Sequence, residues 1–401
     1  MSHKHICLPF DSEEHYRSCL QDLTVYRHHL AQQFLAHPEL FPKAFSEGYT
    51  FHDCYDSRKL KLLLRRIKLK QSREVFTLRP SFVMPYMVAR TDDIEKAIYL
   101  RQWGVPFEAL AYVFGRDAMF WYRAWLSLGR SNMVGTTVKS AEVMPKDLVA
   151  DEKITWVKGR EIALATTAGG GCFLGVTVVE KDDTEGLLAG YGEFASQARA
   201  VFARYEPRSV CTDGWKATRQ AWQLLFPRVA LVLCYLHSTL KIAERCRGEL
   251  RKQVLTRVWH AYRAETRRSF SQRLRRLQQW AIAELSGAVS EMVLKLCKRR
   301  KDFTPAYDCP GAARTSNAVD RLLNRMDRLL YTGCYGHTTT QSMGLAVRAM
   351  ALQWNFHPYG ARLRHRQPLR ESPFGDLNGF VYHENWLHNL LIASSMGGLR
   401  L

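Results

Sequence analysis

The chain has 401 residues, of which 46% are hydrophobic and 24% charged, so it is long enough to bury a large core in two or three domains. Lysine and arginine outnumber aspartate and glutamate by 58 to 38, and the net charge of +20 predicts a polyanionic partner, with nucleic acid the expected class. No apolar run reaches the roughly 18 residues of a membrane span. The N-terminal residues lack the apolar core of a signal peptide. Together with ten scattered cysteines, this favours a cytoplasmic protein with no membrane partner.

The first 75 residues are predicted to be an N-terminal basic region. Segment 59–70 is rich in leucine, lysine and arginine and is predicted to be helical. Its Arg65 and Arg66 are candidate contacts to DNA phosphates, because arginine and lysine supply many such contacts.

Three helices are predicted within residues 76–135. The first begins at Thr91, a capping residue followed by acids, and glycine or proline breaks separate the others. The third helix covers residues 117–128, the position of the reading helix in a helix-turn-helix, so Arg116 and Arg123 are candidate DNA contacts. The pattern carries no base-reading signature, and an ordinary packing unit of three helices is the alternative.

Beyond Val143 the hydrophobic period becomes that of strands. Three strands are predicted to form an antiparallel meander, and helices then alternate with strands. The predicted segments are strands 148–157, 161–168 and 172–179, helix 184–205, strand 209–213, helix 215–226 and strand 229–234. That order, completed by a further helix, describes the ribonuclease H-like fold, an α/β fold with a mixed sheet flanked by helices. Residues 145–237 are therefore predicted to be the first part of such a core.

An all-helical insertion is predicted over residues 238–310. It is rich in arginine, and burying so much unpaired charge would be very costly, so part of it is expected to contact DNA. Its candidate DNA contacts are Arg267, Arg268, Arg275 and Arg276. Residues 311–360 are predicted to complete the core with a helix over 315–331, and residues 361–401 to form a basic C-terminal tail.

Two aspartates border predicted strands. Asp151 lies in the first strand of the core, and Glu152 is expected on the opposite face because side chains alternate along a strand. Asp213 ends the fourth strand and precedes Gly214, a position from which a strand can deliver a carboxylate into a cleft. The alternatives are a solvated strand-end acid for Asp151 and a helix N-cap for Asp213.

A third acid, Asp320, lies in the first part of the helix at 315–331. Carboxylates presented by strand ends and by a facing helix suit a two-Mg²⁺ site for in-line displacement at phosphorus. Asp308, Asp327 and Glu291 are rivals for this position. Asp327 is expected on the same helix face as Asp320, two turns later.

Cys234 and His237 form a Cys-x-x-His motif between the second and third acids. The motif is similar to half of a zinc site, but no second half with suitable spacing follows. We expect both side chains to brace the strand end beside the acids. A direct catalytic role of His237 is the alternative.

Taken together, the motifs resemble those of the DDE/D transposases of bacterial insertion sequences, similar to the Mutator-like and related families. The likeness rests on the Asp-Glu pair at 151–152, on Thr-Asp-Gly-Trp-Lys at 212–216, and on the Cys-x-x-His motif. It also rests on Ser-Asn-Ala-Val-Asp at 316–320, where many relatives carry glutamate as the last residue.

The resemblance implies a transposase that cleaves DNA at transposon ends and transfers the freed strands into target DNA. Two Mg²⁺ ions, for which Mn²⁺ can substitute, would serve both steps. The implied catalytic residues and metal ligands are Asp151, Asp213 and Asp320, and the implied supporting residues are Cys234, His237 and Asn317. The implied partner is double-stranded DNA, as terminal inverted repeats and as target, bound by a nucleoid-associated homo-oligomer of two or more copies.

Two other functions are compatible with the same features. One is a ribonuclease H-like nuclease that cuts DNA without joining it, and the other is a domesticated DNA-binding protein that retains the fold without catalysis. Strand-transfer products would exclude the first, and metal-dependent cleavage would exclude the second. The presence of all three acids argues against the second.

Overall fold

The computed structural model describes residues 4–58, 60–332, 336–337 and 339–399, and it is a mixed α/β structure with two sheets. The strands are β1 (His5–Leu8), β2 (Tyr49–Ser57), β3 (Leu62–Leu69), β4 (Val75–Pro80), β5 (Asp147–Val157), β6 (Arg160–Gly169), β7 (Cys172–Val179), β8 (Ser209–Thr212) and β9 (Ala230–Leu233). Short 3-10 helices cover Pro38–Leu40, Lys43–Glu47 and Ser395–Gly398.

The α-helices fall into two groups along the chain. Up to the end of the second sheet they are α1 (Glu13–Gln21), α2 (Leu23–Ala36), α3 (Thr91–Arg101), α4 (Phe107–Phe114), α5 (Ala118–Leu128), α6 (Met133–Thr137), α7 (Thr184–Val201) and α8 (Lys216–Leu225). After it they are α9 (Tyr235–Ala243), α10 (Gly248–Tyr262), α11 (Arg267–Glu284), α12 (Gly287–Lys298), α13 (Arg300–Phe303), α14 (Pro305–Asp308), α15 (Asn317–Thr332), α16 (Thr340–Phe356), α17 (Ala361–Arg366), α18 (Pro373–Asn378) and α19 (Trp386–Ala393). Among the described residues, none of these helices combines the length and the apolar character that crossing a membrane requires.

The N-terminal sheet has the strand order β1-β4-β3-β2, with β1 parallel to β4 and the other pairs antiparallel. The prediction of a helix over 59–70 is wrong, because β3 occupies most of that segment. Burial along β3 follows a two-residue period on either side of a break, with Leu62, Leu64, Ile67 and Leu69 buried. That alternation suits a half-buried strand, and it outweighs the helical preference of leucine, lysine and arginine.

Both arginines of β3 make contacts within this sheet. Arg66 pairs with Asp53 of β2 through Nε and Nη2. The Arg65 guanidinium carbon lies 5.5 Å from the centre of the Phe51 ring. These contacts hold the two side chains against β2, and their contact with DNA stays a prediction.

The three helices expected within residues 76–135 are present as α3, α4 and α5. Asp117 caps α5, and its carboxylate accepts the Phe120 N–H at 2.8 Å. The start of α3 differs from the prediction, since Arg90 occupies the N-cap position. The Thr91 hydroxyl instead donates to the Ser81 carbonyl oxygen at 2.6 Å and ties the helix to the preceding segment.

This helical unit shares its core with the rest of the chain. The Trp125 indole N–H of α5 donates to the Gln353 side chain of α16 at 3.1 Å, and both residues are buried. One hydrophobic cluster also runs from Ile6 in the first sheet through α3 and α5 to Met396 near the C-terminus. Deleting residues 1–135 would therefore expose a large apolar surface.

The second sheet has the strand order β7-β6-β5-β8-β9. Strands β5, β6 and β7 are an antiparallel meander, while β8 runs parallel to β5, and β9 parallel to β8. These strands confirm the predicted segments to within one residue at most ends, and α7 ends at Val201 rather than near 205. The α/β class is therefore confirmed.

Successive side chains of β5 point to opposite faces of the sheet and pack against different helices. Leu148 and Ala150 belong to the cluster that includes Tyr191 of α7 and Trp222 of α8. Val149 belongs to the cluster formed with α15 and α16. Because faces alternate along a strand, Asp151 shares the face of Val149 and points toward α15.

The insertion has a core of its own. Helices α9 to α13 enclose a cluster that includes Val254, Val258, Phe270 and Leu274. Beyond α17 the C-terminal stretch is packed rather than a tail, since every residue of α19 is buried. Its sequence Trp-Leu-His-Asn-Leu-Leu-Ile-Ala is apolar enough to fill the main core, whereas the exposed, basic part of the stretch is limited to α17 and its surroundings.

His357, which caps α16, makes stability depend on pH. Its ring stacks on Tyr99 with centres 4.6 Å apart, and burial lowers its pKa to about 4 from the ordinary 6.5. As the pH falls, the unfolded chain therefore binds a proton at His357 before the folded chain does. The stability that the neutral, buried ring contributes is complete above pH 6.5 and is lost as the pH falls from 6.5 to 4. Relative to His357→Phe, we expect the wild type to lose up to about 3 kcal/mol of unfolding free energy across that window, measured by urea unfolding. The exposed His365→Gln is the control, and a pH-independent difference for His357→Phe would contradict the prediction.

Candidate metal centre

Asp151 is the fifth residue of β5, in the middle of the second sheet, and is 9% exposed. One hydrogen bond is described for its carboxylate, from the N–H of the adjacent Glu152 at 3.0 Å. Glu152 lies on the other face, as predicted, where it accepts hydrogen bonds from the Tyr191 hydroxyl at 2.7 Å and the Thr218 hydroxyl at 2.6 Å. Asp151 is thus available to a ligand, while Glu152 joins the sheet to α7 and α8.

Asp213 directly follows β8, the parallel neighbour of β5. Its carboxylate accepts the Trp215 N–H at 2.7 Å, and Trp215 rather than Asp213 is the N-cap of α8. Gly214 has a φ of +90°, and a Cβ there would collide with Leu233 and lie 2.9 Å from the Arg299 guanidinium. The turn therefore requires glycine, and the guanidinium of Arg299, which pairs with Asp302 at 3.0 Å, lies against it.

Asp320 lies in the first turn of α15, which packs against β5. Its carboxylate accepts a hydrogen bond from the Ser316 hydroxyl at 3.1 Å. The rivals are engaged elsewhere or exposed: Asp327 pairs with Lys153 at 3.3 Å, Asp308 pairs with Arg267 at 3.0 Å, and Glu291 is exposed on α12. Asp320 is thus the acid of this group that lies beside Asp151.

His237 completes a group of three possible ligands. One ligand atom from each of Asp151, His237 and Asp320 lies within 4.8 Å of the other two. Asp213 is outside this group, although its charge contributes to the pKa of Asp151. The sequence predicts a bracing role for His237, whereas the structure places its ring among the possible metal ligands. The signal in the sequence for that position is the Cys-x-x-His motif directly after a strand.

Ser316 connects the Cys-x-x-His motif with the start of α15. Its N–H donates to the Cys234 sulfur at 3.1 Å, and its hydroxyl lies 3.3 Å from that sulfur and 3.4 Å from His237 Nδ1. Ser316 and Cys234 are both buried. Asn317, expected to support the acids, is the first residue of α15 and is exposed.

The centre places several ionisable groups close together where they are poorly solvated. Burial raises the pKa of Asp151 to about 8, with His237 opposing the rise and three neighbouring carboxylates adding to it. The hydrogen bond with Cys234, together with the charges of Cys234, Asp151 and Asp320, outweighs burial and raises the pKa of His237 to about 9. A bound cation would relieve the repulsion among the carboxylates.

The candidate DNA contacts on α5 and α11 lie on exposed surface, whereas Arg65 and Arg66 of β3 are half-buried. Arg116 lies just before α5 and Arg123 in its middle, and both are exposed. Arg267 is paired with Asp308, as described above, while the exposed arginines of α11 are Arg267, Arg268, Arg275 and Arg276. Arg275 also lines a cavity of about 270 Å³ together with Lys298, Arg300 and Lys301.

Known proteins do not identify the chain: no family model matches it, and no curated protein matches it either.

Proposed function

We propose that the chain is a DDE/D-type DNA transposase with a ribonuclease H-like core. The observation that carries this proposal is the position of three carboxylates around one sheet. Asp151 is on the first strand of the meander, Asp213 follows the parallel strand beside it, and Asp320 is on a helix over the same face. The strand order β7-β6-β5-β8-β9, with three antiparallel strands followed by two parallel ones, supports the fold assignment.

The donors fit divalent metal ions. All three acids offer oxygen ligands, and Asp151 is buried with one hydrogen bond described for its carboxylate, from the adjacent N–H. Mg²⁺ or Mn²⁺ bound here would supply charge stabilisation at the reacting phosphate. Asp151 and Asp320 would hold one side of the centre and Asp213 the other.

Double-stranded DNA is the proposed partner, both as element ends and as target. The net charge of +20 and the exposed arginines of α11 support it. Because two element ends must be brought together, we propose that the protein acts as a homo-oligomer on DNA.

The proposal is tested with the full-length protein, Mg²⁺ or Mn²⁺, and duplexes from the DNA that flanks its coding sequence. We expect strand cleavage at a fixed position near each element end, followed by joining of the new 3′ ends to a target plasmid. Cleavage without joined products would identify a nuclease instead. Specific binding without cleavage in either metal would identify a DNA-binding protein.

Arg116 and Arg123 are proposed to recognise the element ends from α5. The double variant Arg116→Gln/Arg123→Gln should bind those ends more weakly by about 1–3 kcal/mol for each base contact that it removes, with a smaller change for unrelated DNA. Fluorescence anisotropy with both duplexes measures the difference. The control, Arg160→Gln/Arg204→Gln, removes equal charge from other exposed positions. An equal loss of affinity for both duplexes would show that α5 does not recognise the sequence of the element ends.

A further inference from the structure

We infer that His237 is a metal ligand, and that Asp151, His237 and Asp320 together hold one ion in a centre that prefers Mn²⁺ to Mg²⁺. The inference rests on the proposed function for the role of the ion, since it concerns the same site. It goes further in naming a nitrogen donor and in separating Asp213 from this ion.

The geometry of the three donors fits one ion. Each pair of ligand atoms lies within 4.8 Å. Two oxygen or nitrogen ligands on opposite sides of a small divalent ion are about 4.2 Å apart, and adjacent ones are closer. The donors come from β5, from the first turn of α9 and from the first turn of α15, so three separate elements converge on one point.

Asp151 supplies an independent indication of a ligand. The residue is 9% exposed, and among the described residues the hydrogen bond found for its carboxylate is the one from the adjacent backbone N–H. No ion pair of Asp151 with lysine or arginine is found in the described part of the chain. A carboxylate buried in this way is normally paired or bound to a metal.

Ser316 holds the other two donors in position. Its hydroxyl lies 3.1 Å from Asp320 Oδ2 and 3.4 Å from His237 Nδ1, while its N–H is anchored on the Cys234 sulfur. Groups of this kind orient metal-binding side chains and tune affinity. The Cys-x-x-His motif thus acquires a division of labour: Cys234 fixes the start of α15, and His237 binds the ion.

The mixed donor set determines the choice of ion. Carboxylates suit both Mg²⁺ and Mn²⁺, whereas imidazole favours transition metals, so of these two ions Mn²⁺ fits the mixed donor set better. Asp213, outside the three-residue group, is left to a second ion with oxygen donors. We therefore expect His237 to raise affinity for Mn²⁺ more than affinity for Mg²⁺.

Pulsed electron paramagnetic resonance on the full-length protein, with Mn²⁺ and without DNA, tests the assignment. The wild type should give a nitrogen coupling from one imidazole, which changes predictably when histidine is labelled with ¹⁵N. His237→Gln should lose that coupling and bind Mn²⁺ about tenfold more weakly, while the Mg²⁺ concentration that displaces Mn²⁺ falls. The matched control is His365→Gln, an exposed histidine on α17, which should leave the spectrum and both affinities unchanged.

The outcomes separate the inference from the proposed function. Oxygen-only coordination in the wild type, or no Mn²⁺ binding, would overturn the His237 assignment, while DNA cleavage in Mg²⁺ would still support the transposase. A nitrogen coupling in a protein that never cleaves DNA would support the His237 assignment and contradict the proposed transposase function. If His237→Gln fails to fold, the wild-type spectrum with and without ¹⁵N-histidine still tests for an imidazole ligand, and oxygen-only coordination overturns the assignment.

Discussion

Asp151→Asn, Asp213→Asn and Asp320→Asn are each expected to reduce DNA cleavage and joining by about a thousandfold or more. Loss of one carboxylate lowers metal occupancy, and the metal ions supply several kcal/mol of transition-state stabilisation. Binding to element-end DNA should stay nearly intact, because that affinity comes mostly from lysine and arginine contacts to phosphate. Cleavage and strand transfer are followed on labelled duplexes, and binding by anisotropy.

The matched control for Asp320→Asn is Asp327→Asn, on the same helix and two turns later. Its partner is Lys153 at 3.3 Å, so this substitution should cost less than about 1 kcal/mol of stability and leave activity unchanged. Substantial strand transfer by Asp320→Asn, together with its loss in Asp327→Asn, would transfer the third ligand to Asp327.

Much of the second sheet could be predicted from the sequence because its buried strands appear there as short apolar segments. Segments such as β6 and β7 are apolar runs with β-branched residues, bounded by turns at Gly159 and at Gly170 and Gly171. Asp213 before Gly214 was predictable for a similar reason, since the turn after β8 requires a positive φ.

The first sheet was harder to predict because its strands alternate only in part. In β3 a pair of arginines interrupts the two-residue period, so a helix fitted the composition equally well. The buried α19 lies within the segment predicted to be a basic tail. That prediction followed the basic residues before α19, which dominate the C-terminal composition. In both cases long-range packing decided the structure, and a local pattern carries little record of that packing.

The approach of His237 to the two aspartates could not be predicted from spacing. The three residues are far apart in sequence, and their distances depend on how α9 and α15 pack on the sheet. The motif indicated that His237 lies near a strand end, whereas the 3.4 Å contact between His237 Nδ1 and the Ser316 hydroxyl depends on tertiary structure.

The exposed arginines of α11 are expected to set much of the salt dependence of DNA binding. Arg268 and Arg275 are seven residues apart and therefore lie on one face of the helix, opposite the buried Phe270 and Leu274. Neutralising Arg268, Arg275 and Arg276 to glutamine should flatten the slope of log K against log salt by up to about 0.9 for each phosphate that these side chains bind. Adding Arg267→Gln should change the slope less, since Asp308 already neutralises that side chain.

Equal charge removed elsewhere distinguishes a local contact from a general field effect. The control variant carries Arg73→Gln, Arg160→Gln and Arg204→Gln, all at exposed positions outside the insertion. Both triple variants lower the net charge by three, so a purely long-range attraction would change their slopes equally. A flatter slope confined to the α11 variant would assign the backbone contacts to the insertion. An unchanged slope in that variant would mean that α11 does not meet DNA, and that the insertion serves to position Arg299 and α15 around the centre.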